Sequence, residues 1–259
     1  MQLPWGFALA QRLVLGKVRL ALGLDRCHMC FTGAAPIARE TLQFFGALHV
    51  PVFELYGMSE CTGPMTVSSH GCYKVGSCGP PMPGVELRIE HDASRDKAGE
   101  GEICYRGRHI MLGYMKNEEK SREAIDPDGW LHSGDVGRTD ADGFLYITGR
   151  IKEQYKLENG RYVVPTPLED RLKLSGFINQ VFLFGDNRHH NVCLVVPDFD
   201  ALTKWAQAEG LNDCSPEGLL ADPRAHAKVG EELAHGGADV AAYVVVVVVV
   251  QLLLLLLLL

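Results

Sequence analysis

Residues 53–63 read FELYGMSECTG, and the build of this stretch decides the fold. An apolar run ends in Tyr56-Gly57, a turn rich in small and hydroxyl-bearing residues follows, and Glu60 stands inside it. In open α/β sheets such a turn lies beyond the carboxyl end of a strand, where ligands bind. Tyr56 offers a flat face for a base, and Gly57 lets backbone approach closely. The Ser59 hydroxyl can donate to a phosphate oxygen, and Glu60 is a hard oxygen donor suited to Mg²⁺. The plain alternative is a glycine-containing loop with a solvated glutamate.

Working upstream, residues 50–56 read as a strand and 37–48 as a helix with Pro36 in its favoured first turn. The small-residue turn Gly33-Ala34-Ala35-Pro36 follows a short apolar strand at 27–32, and 8–23 read as an amphipathic helix closed by Gly23. This strand–turn–helix–strand order is that of a wound α/β sheet. Downstream, residues 71–148 break into short runs bounded by Gly and Pro, among them VELRIEHD, GEICYRG and GFLYITG. That texture predicts antiparallel β structure and suggests a small barrel. Beyond Gly149-Arg150 the pattern predicts a helix at 167–175, strands at 179–185 and 191–196, and a helix at 199–210. The α/β chain thus divides into a large-domain portion at 1–149, an incomplete small α+β domain at 150–239 and a low-complexity apolar tail at 240–259.

Two more segments carry chemistry. In GWLHSGDVG (129–137), Asp135 follows a Ser-Gly turn, where a rigidly held carboxylate can accept two hydroxyl protons, as from a ribose. A simple Asx turn would look the same. In DGFLYITGRIKE (142–153), a strand ends in Gly149-Arg150-Ile151-Lys152. A glycine ahead of two cations at a domain junction reads as a hinge presenting Arg150 to an anion, or as a strand end with a solvated basic pair.

Together and in this order, these segments resemble the adenylate-forming superfamily, the AMP-binding enzymes that include acyl-CoA synthetases, luciferases and peptide-synthetase adenylation domains. Thr32-Gly33-Ala34-Ala35-Pro36-Ile37 adds a fourth match. ELYGMSECTGP, GEICYRGRHIMLGY, DGWLHSGDVG and DGFLYITGRIKE are most similar to long-chain and very-long-chain fatty acyl-CoA synthetases of the bubblegum type. The resemblance implies ATP, Mg²⁺ and coenzyme A as cofactor and substrates, and a fatty acid that becomes an acyl-adenylate and then a thioester. It places Gly33, Ala34 and Ala35 beside adenine and the acyl group, and Tyr56 on the adenine ring. Ser59 would meet phosphate, Glu60 would hold Mg²⁺, and Asp135 with Arg150 would bind ribose. Gly57 and Cys61 would border the acyl tunnel. Lys152 would sit at the hinge, and Lys156 and Gly160 on the small-domain loop used in thioester formation. Two further family parts, a Ser/Thr/Gly-rich phosphate loop with its Lys and a Pro-x-x-Gly-Lys closing lysine, have no counterpart in the 259 residues, and the surroundings of Lys228 do not match. The chain is therefore read as a C-terminal-half fragment with negligible adenylation by itself, the rival being a non-catalytic binding remnant.

Composition narrows the remainder. With 47% hydrophobic and 22% charged residues, the chain can bury a core. A net charge of −7, with 25 basic residues spread along the chain, argues against a nucleic-acid surface. Eight irregularly spaced cysteines predict a reducing compartment, the cytoplasm. No signal peptide is expected. The tail VAAYVVVVVVVQLLLLLLLL is long enough to span a bilayer, so membrane association stays open. It lacks interfacial Trp and flanking basic residues, which favours a low-complexity run. Cys27-His28-Met29-Cys30 has no partner pair and reads as a buried strand, not zinc. His132 is a secondary candidate beside Asp135, His189-His190 reads as a solvated turn, and Met111 and Tyr114 read as core.

Overall fold

The computed structural model describes residues 6–235 and the backbone of 244–248. The chain divides into two compact units, Met1–Thr148 and Gly149–Leu259, each with its own hydrophobic core.

The first unit begins with α1 (Phe7–Ala10), a π-helical turn (Gln11–Leu15) and α2 (Gly16–Ala21). Gly23, at φ +70°, closes this helical run in the left-handed conformation that glycine adopts without penalty. β1 (Cys30–Thr32), α3 (Arg39–Ala47) and β2 (Val52–Met58) form a parallel βαβ unit in which Thr32 pairs with Glu54. β1 is shorter than the expected 27–32; Cys27 lies before it, its thiol donating to the Met29 carbonyl. Pro36 lies outside α3; the chain stays extended through Ala38, and the helix starts at Arg39. A 3₁₀ turn (Ser59–Cys61) then leads into β3 (Gly63–Val67), antiparallel to β2.

β4 (Glu86–Glu90), β5 (Gly101–Arg106), β6 (Leu131–Thr139) and β7 (Leu145–Arg150) provide the expected antiparallel structure, paired as an open sheet with β4 and β7 at the ends of the order. Between β5 and β6 lies α4 (Glu118–Ala124), started by the Asn117 side chain accepting from the Lys120 amide. The expected Ser-Gly turn before Asp135 is instead a bulge within β6. Gly134 has φ +73°, and the β5–β6 register slips between Glu102 and Cys104. Tyr56, Cys61 and Met65 of the β2–β3 region pack with Ile103, Tyr105, Leu131 and Leu145. Each large apolar side chain so buried contributes about 1.5–3 kcal/mol.

Two loops of this unit share one design. In Asp126-Pro127-Asp128-Gly129-Trp130, Asp126 Oδ1 accepts from the amides of residues 128 and 130. In Asp140-Ala141-Asp142-Gly143-Phe144, Asp140 Oδ1 accepts from those of 142 and 144. Gly129 and Gly143 both have φ near +80°.

The second unit opens with the hairpin β8 (Tyr155–Lys156) and β9 (Tyr162–Val163). α5 (Pro165–Leu172) starts two residues before the expected 167, with Pro at its first position. β10 (Ile178–Phe184) and β11 (Asn191–Pro197) pair antiparallel. α6 (Phe199–Ala208), α7 (Pro216–Ala221) and α8 (Pro223–His235) follow, α6 and α7 being capped by the Asp198 and Ser215 side chains. Ala225, Val229 and Leu233, four apart on α8, face the core with Leu202, Ala206 and Leu219. Of the expected low-complexity tail, β12 (Val244–Val248) pairs parallel to β11; the remainder lies outside the described residues. Among the described residues no helix is long and apolar enough to cross a membrane.

Candidate functional site

Because β1 and β2 run parallel, the loops that follow them leave the same end of the sheet. This brings Gly33-Ala34-Ala35 and Ser59-Glu60-Cys61, 26 residues apart in sequence, to one edge. Gly33 sits beside Leu55, whose Cδ1 would lie 2.6 Å from any added Cβ, and Ala34 takes φ +67°. All three small residues are exposed. At Gly57 the close backbone approach is to a neighbouring strand: a Cβ there would stand 2.2 Å from the Gly63 carbonyl oxygen. The backbone it admits is that of β3.

Tyr56 and Asp135, 79 residues apart, are joined directly: the tyrosine hydroxyl donates to Asp135 Oδ2 at 2.5 Å. Asp135 is 5% exposed and Tyr56 9%, its ring tilted against Tyr105 with centroids 6.0 Å apart. Burial, then the Asp135 charge, pushes the Tyr56 hydroxyl well above the usual tyrosine range, so it remains a donor throughout the physiological range. The bulge that aims Asp135 is itself held by Glu102, which accepts from the Gly134 amide through Oε1 at 2.9 Å. Asp135's own amide donates to Ser133 Oγ.

Glu60 is half-buried, and its Oε1 accepts from the Tyr114 hydroxyl at 2.8 Å. Its carbonyl accepts from the Met111 amide, also at 2.8 Å. Tyr114, expected in the core, is 40% exposed and reaches Glu60 instead, so the HIMLGY segment docks on the 3₁₀ turn. Neighbouring Ser59 is exposed. One partly exposed carboxylate beside a hydroxyl suits Mg²⁺, which keeps several waters and binds mainly through substrate phosphates. Cys61 is buried, and burial, then the Glu60 charge, pushes its thiol up to about 12, leaving an inert apolar wall.

Arg150, Lys152 and Lys156 belong to the second unit. Arg150 ends β7 and is exposed; Lys152 lies exposed in a 3₁₀ turn (Ile151–Glu153). On the hairpin, Lys156 Nζ lies 5.3 Å from the centre of the Tyr162 ring, and its Cε would be 3.8 Å from a Cβ on Gly160. Lys228 is paired with Glu232 at 2.7 Å within α8.

Sequence reasoning missed Glu54. It lies on β2 two residues before Tyr56, is 8% exposed, and its Oε1 has no hydrogen-bond partner among the described residues. Burial pushes its carboxyl up to about 7, against a smaller opposing effect of the Gly76 amide. An acidic residue inside the apolar run VFELY was the available signal.

Residues 8–115 match the AMP-binding enzyme family, and residues 152–222 match the AMP-binding enzyme C-terminal domain. The chain belongs to the AMP-binding enzyme family. It is similar to the long-chain-fatty-acid–CoA ligase ACSBG2 of Gallus gallus, 55% identical over 186 residues, covering 71% of this chain and 24% of the relative. ACSBG2 of Mus musculus is 45% identical over 216 residues, covering 83% and 32%. ACSBG1 of Homo sapiens is 46% identical over 186 residues, covering 71% and 25%. The chain thus spans about a quarter to a third of the length of these relatives. Among solved structures, O-succinylbenzoate coenzyme A synthetase of Bacillus subtilis, in complex with ATP and magnesium ion, superposes with TM-score 0.58 at 26% identity, covering 70% of this chain and 40% of that one. The A-PCP didomain of the Segniliparus rugosus carboxylic acid reductase superposes with TM-score 0.67 at 23% identity, covering 92% and 32%, a likeness of fold.

Proposed function

We propose that this chain supplies the nucleotide- and acyl-facing part of a long-chain fatty acid–CoA ligase, which turns fatty acid, ATP and coenzyme A into acyl-CoA, AMP and diphosphate through an acyl-adenylate. The observation that carries the reading is the Tyr56–Asp135 hydrogen bond, which makes one surface of two segments far apart in sequence. The 55% identity to a ligase of that specificity supports it.

When a carboxylate attacks the α-phosphate of ATP, two anions meet, so cations and fixed donors must offset the repulsion. Asp135, preset by Tyr56 and the Gly134 bulge, accepts from the ribose hydroxyls, with Arg150 assisting. Tyr56 closes the adenine side, and Gly33, Ala34 and Ala35 leave room for the base and acyl group. Ser59 donates to a phosphate oxygen. Glu60, steadied by Tyr114, would hold Mg²⁺, which spreads the phosphate charge when bound. Gly57 and Cys61 border the acyl chain. Lys152 lies at the hinge between half-reactions, and Lys156 with Gly160 forms the loop used in thioester formation.

Titration of the 259-residue chain with a non-hydrolysable acyl-adenylate mimic tests this. Saturable binding is expected, weakened about 10- to 100-fold in Asp135→Ala, the range for losing hydrogen bonds to a charged group. Equal affinity of the two proteins, or no binding at all, overturns the proposal. ATP–pyrophosphate exchange by the chain alone is expected to be negligible, since losing even one oriented donor to the developing charge costs about 2.7–4 kcal/mol. Normal fatty-acid-dependent exchange would show that residues 1–259 carry the whole adenylation chemistry.

A further inference from the structure

On β5, Ile103 and Tyr105 point into the core, so Glu102, Cys104 and Arg106 face the other way. Cys104 is nonetheless fully buried. What covers it is polar. In register it pairs with Arg88 on β4 and with His132 on β6, and Glu90 and Glu102 flank that row on the same face. Cys104 Sγ lies 3.6 Å from His132 Nδ1 and 3.7 Å from Glu90 Oε2. Glu102 Oε2 is 3.0 Å from the same Nδ1. On the outer side of the ring, His132 Nε2 lies 3.8 Å from Asp126 Oδ2.

We propose that Cys104, His132 and Glu90 form a binding site for a thiophilic divalent cation, zinc by its chemistry, with Glu102 at hand for the fourth position. In a tetrahedral zinc site, a sulfur at about 2.3 Å and a nitrogen or oxygen at about 2.0–2.1 Å from the metal lie about 3.6 Å from each other. The two spacings from Sγ match this. A thiol, an imidazole and a carboxylate are the donor types that zinc combines, and three adjacent strands fix their spacing. Asp126 supplies the outer carboxylate that commonly orients a ligating histidine. The pairing does not suit a nucleophilic cysteine, because Cys104 is fully buried. Arg88 opposes the cation: it ion-pairs with Glu90 at 2.5 Å and stacks on Trp130 at 4.5 Å, so occupancy requires Glu90 to be shared or released. The proposal does not rest on the ligase reading, although Glu102 also holds the Gly134 bulge through its other carboxylate oxygen.

Cobalt(II) is the probe, added to the 259-residue chain carrying Cys27→Ser and Cys30→Ser, which removes the thiols that lie 3.5 Å apart elsewhere in the first unit. The expected result is one equivalent bound, with a thiolate-to-cobalt charge-transfer band and the visible bands of a tetrahedral ion, both abolished by zinc. Adding Cys104→Ser removes the charge-transfer band, and His132→Asn or Glu90→Gln weakens affinity by about tenfold or more. Absence of the band, its survival in Cys104→Ser, or unchanged affinity in both His132→Asn and Glu90→Gln overturns the proposal. Glu90→Gln is an exposed, shape-conserving change, so its result does not hinge on refolding of the sheet.

Discussion

Glu54 and Tyr56 sit two residues apart on one strand and meet burial in opposite ways. Tyr56 has Asp135 as an acceptor; Glu54 leaves one oxygen unpartnered. In Tyr56→Phe the buried Asp135 carboxylate loses a donor, at a cost of about 1–3 kcal/mol in urea unfolding and a matching loss of mimic affinity. Unchanged stability would mean that the bond is not made in solution. The Glu54 carboxyl titrates near its ordinary 4.5 when unfolded and at about 7 when folded. Between those values the folded state holds more protons, so stability falls as pH rises through that window and levels off above it. The fall amounts to about 3 kcal/mol, and Glu54→Gln is expected to flatten it. A wild-type stability profile already flat from pH 4.5 to 7 would refute this.

The β2–β3 pair shows what an element can and cannot reveal in its sequence. The existence of β2 was legible, because an apolar run broken by Tyr-Gly and a small-residue turn has few other readings; β3, at Gly63–Val67, was not expected. The reason for Gly57 was not, since a close approach can be to a ligand or to another strand, and only the β3 pairing decides. Gly57→Ala is expected to destabilise by about 1–3 kcal/mol or prevent folding, because the Cβ meets backbone that cannot step aside. Thermal melts would detect it, and an unshifted midpoint would show the strands free to separate. At Ser133-Gly134 a positive φ serves a turn or a bulge equally well, so the residues predicted the conformation and not its setting in β6. Tyr114 was hidden for another reason. A tyrosine among Ile110, Met111 and Leu112 looks apolar, and its link to Glu60 spans 54 residues. The α6 helix, by contrast, was expected at 199–210 from its own pattern, and the structure adds its Asp198 cap.

At the scale of the molecule, the two units have separate cores. Leu202→Ala, deep in the second, is expected to cost about 2–5 kcal/mol there and to leave the first unit's melting unchanged, so calorimetry should show one of two transitions moving. A single transition that shifts as a whole would contradict this. The order of motifs along the chain was enough to expect two α/β units. The helix α8, whose Ala225, Val229 and Leu233 complete the second core, was not among the expected elements.

The paired Asp-x-Asp-Gly-aromatic loops bear on how such a sheet comes together in time. Each closes on its own first carboxylate within five residues, so it can form on the microsecond scale of a hairpin, ahead of distant contacts. The second oxygen of each carboxylate then reaches a basic side chain from far upstream, Lys74 at 2.6 Å from Asp140 and Arg88 at 3.6 Å from Asp126. Each loop is thus a latch that sets locally and then catches an upstream segment, the loop at Lys74 or the strand β4. Removing the Asp140 latch is expected to slow refolding more than it hastens unfolding, a division that stopped-flow kinetics on Asp140→Ala would read directly.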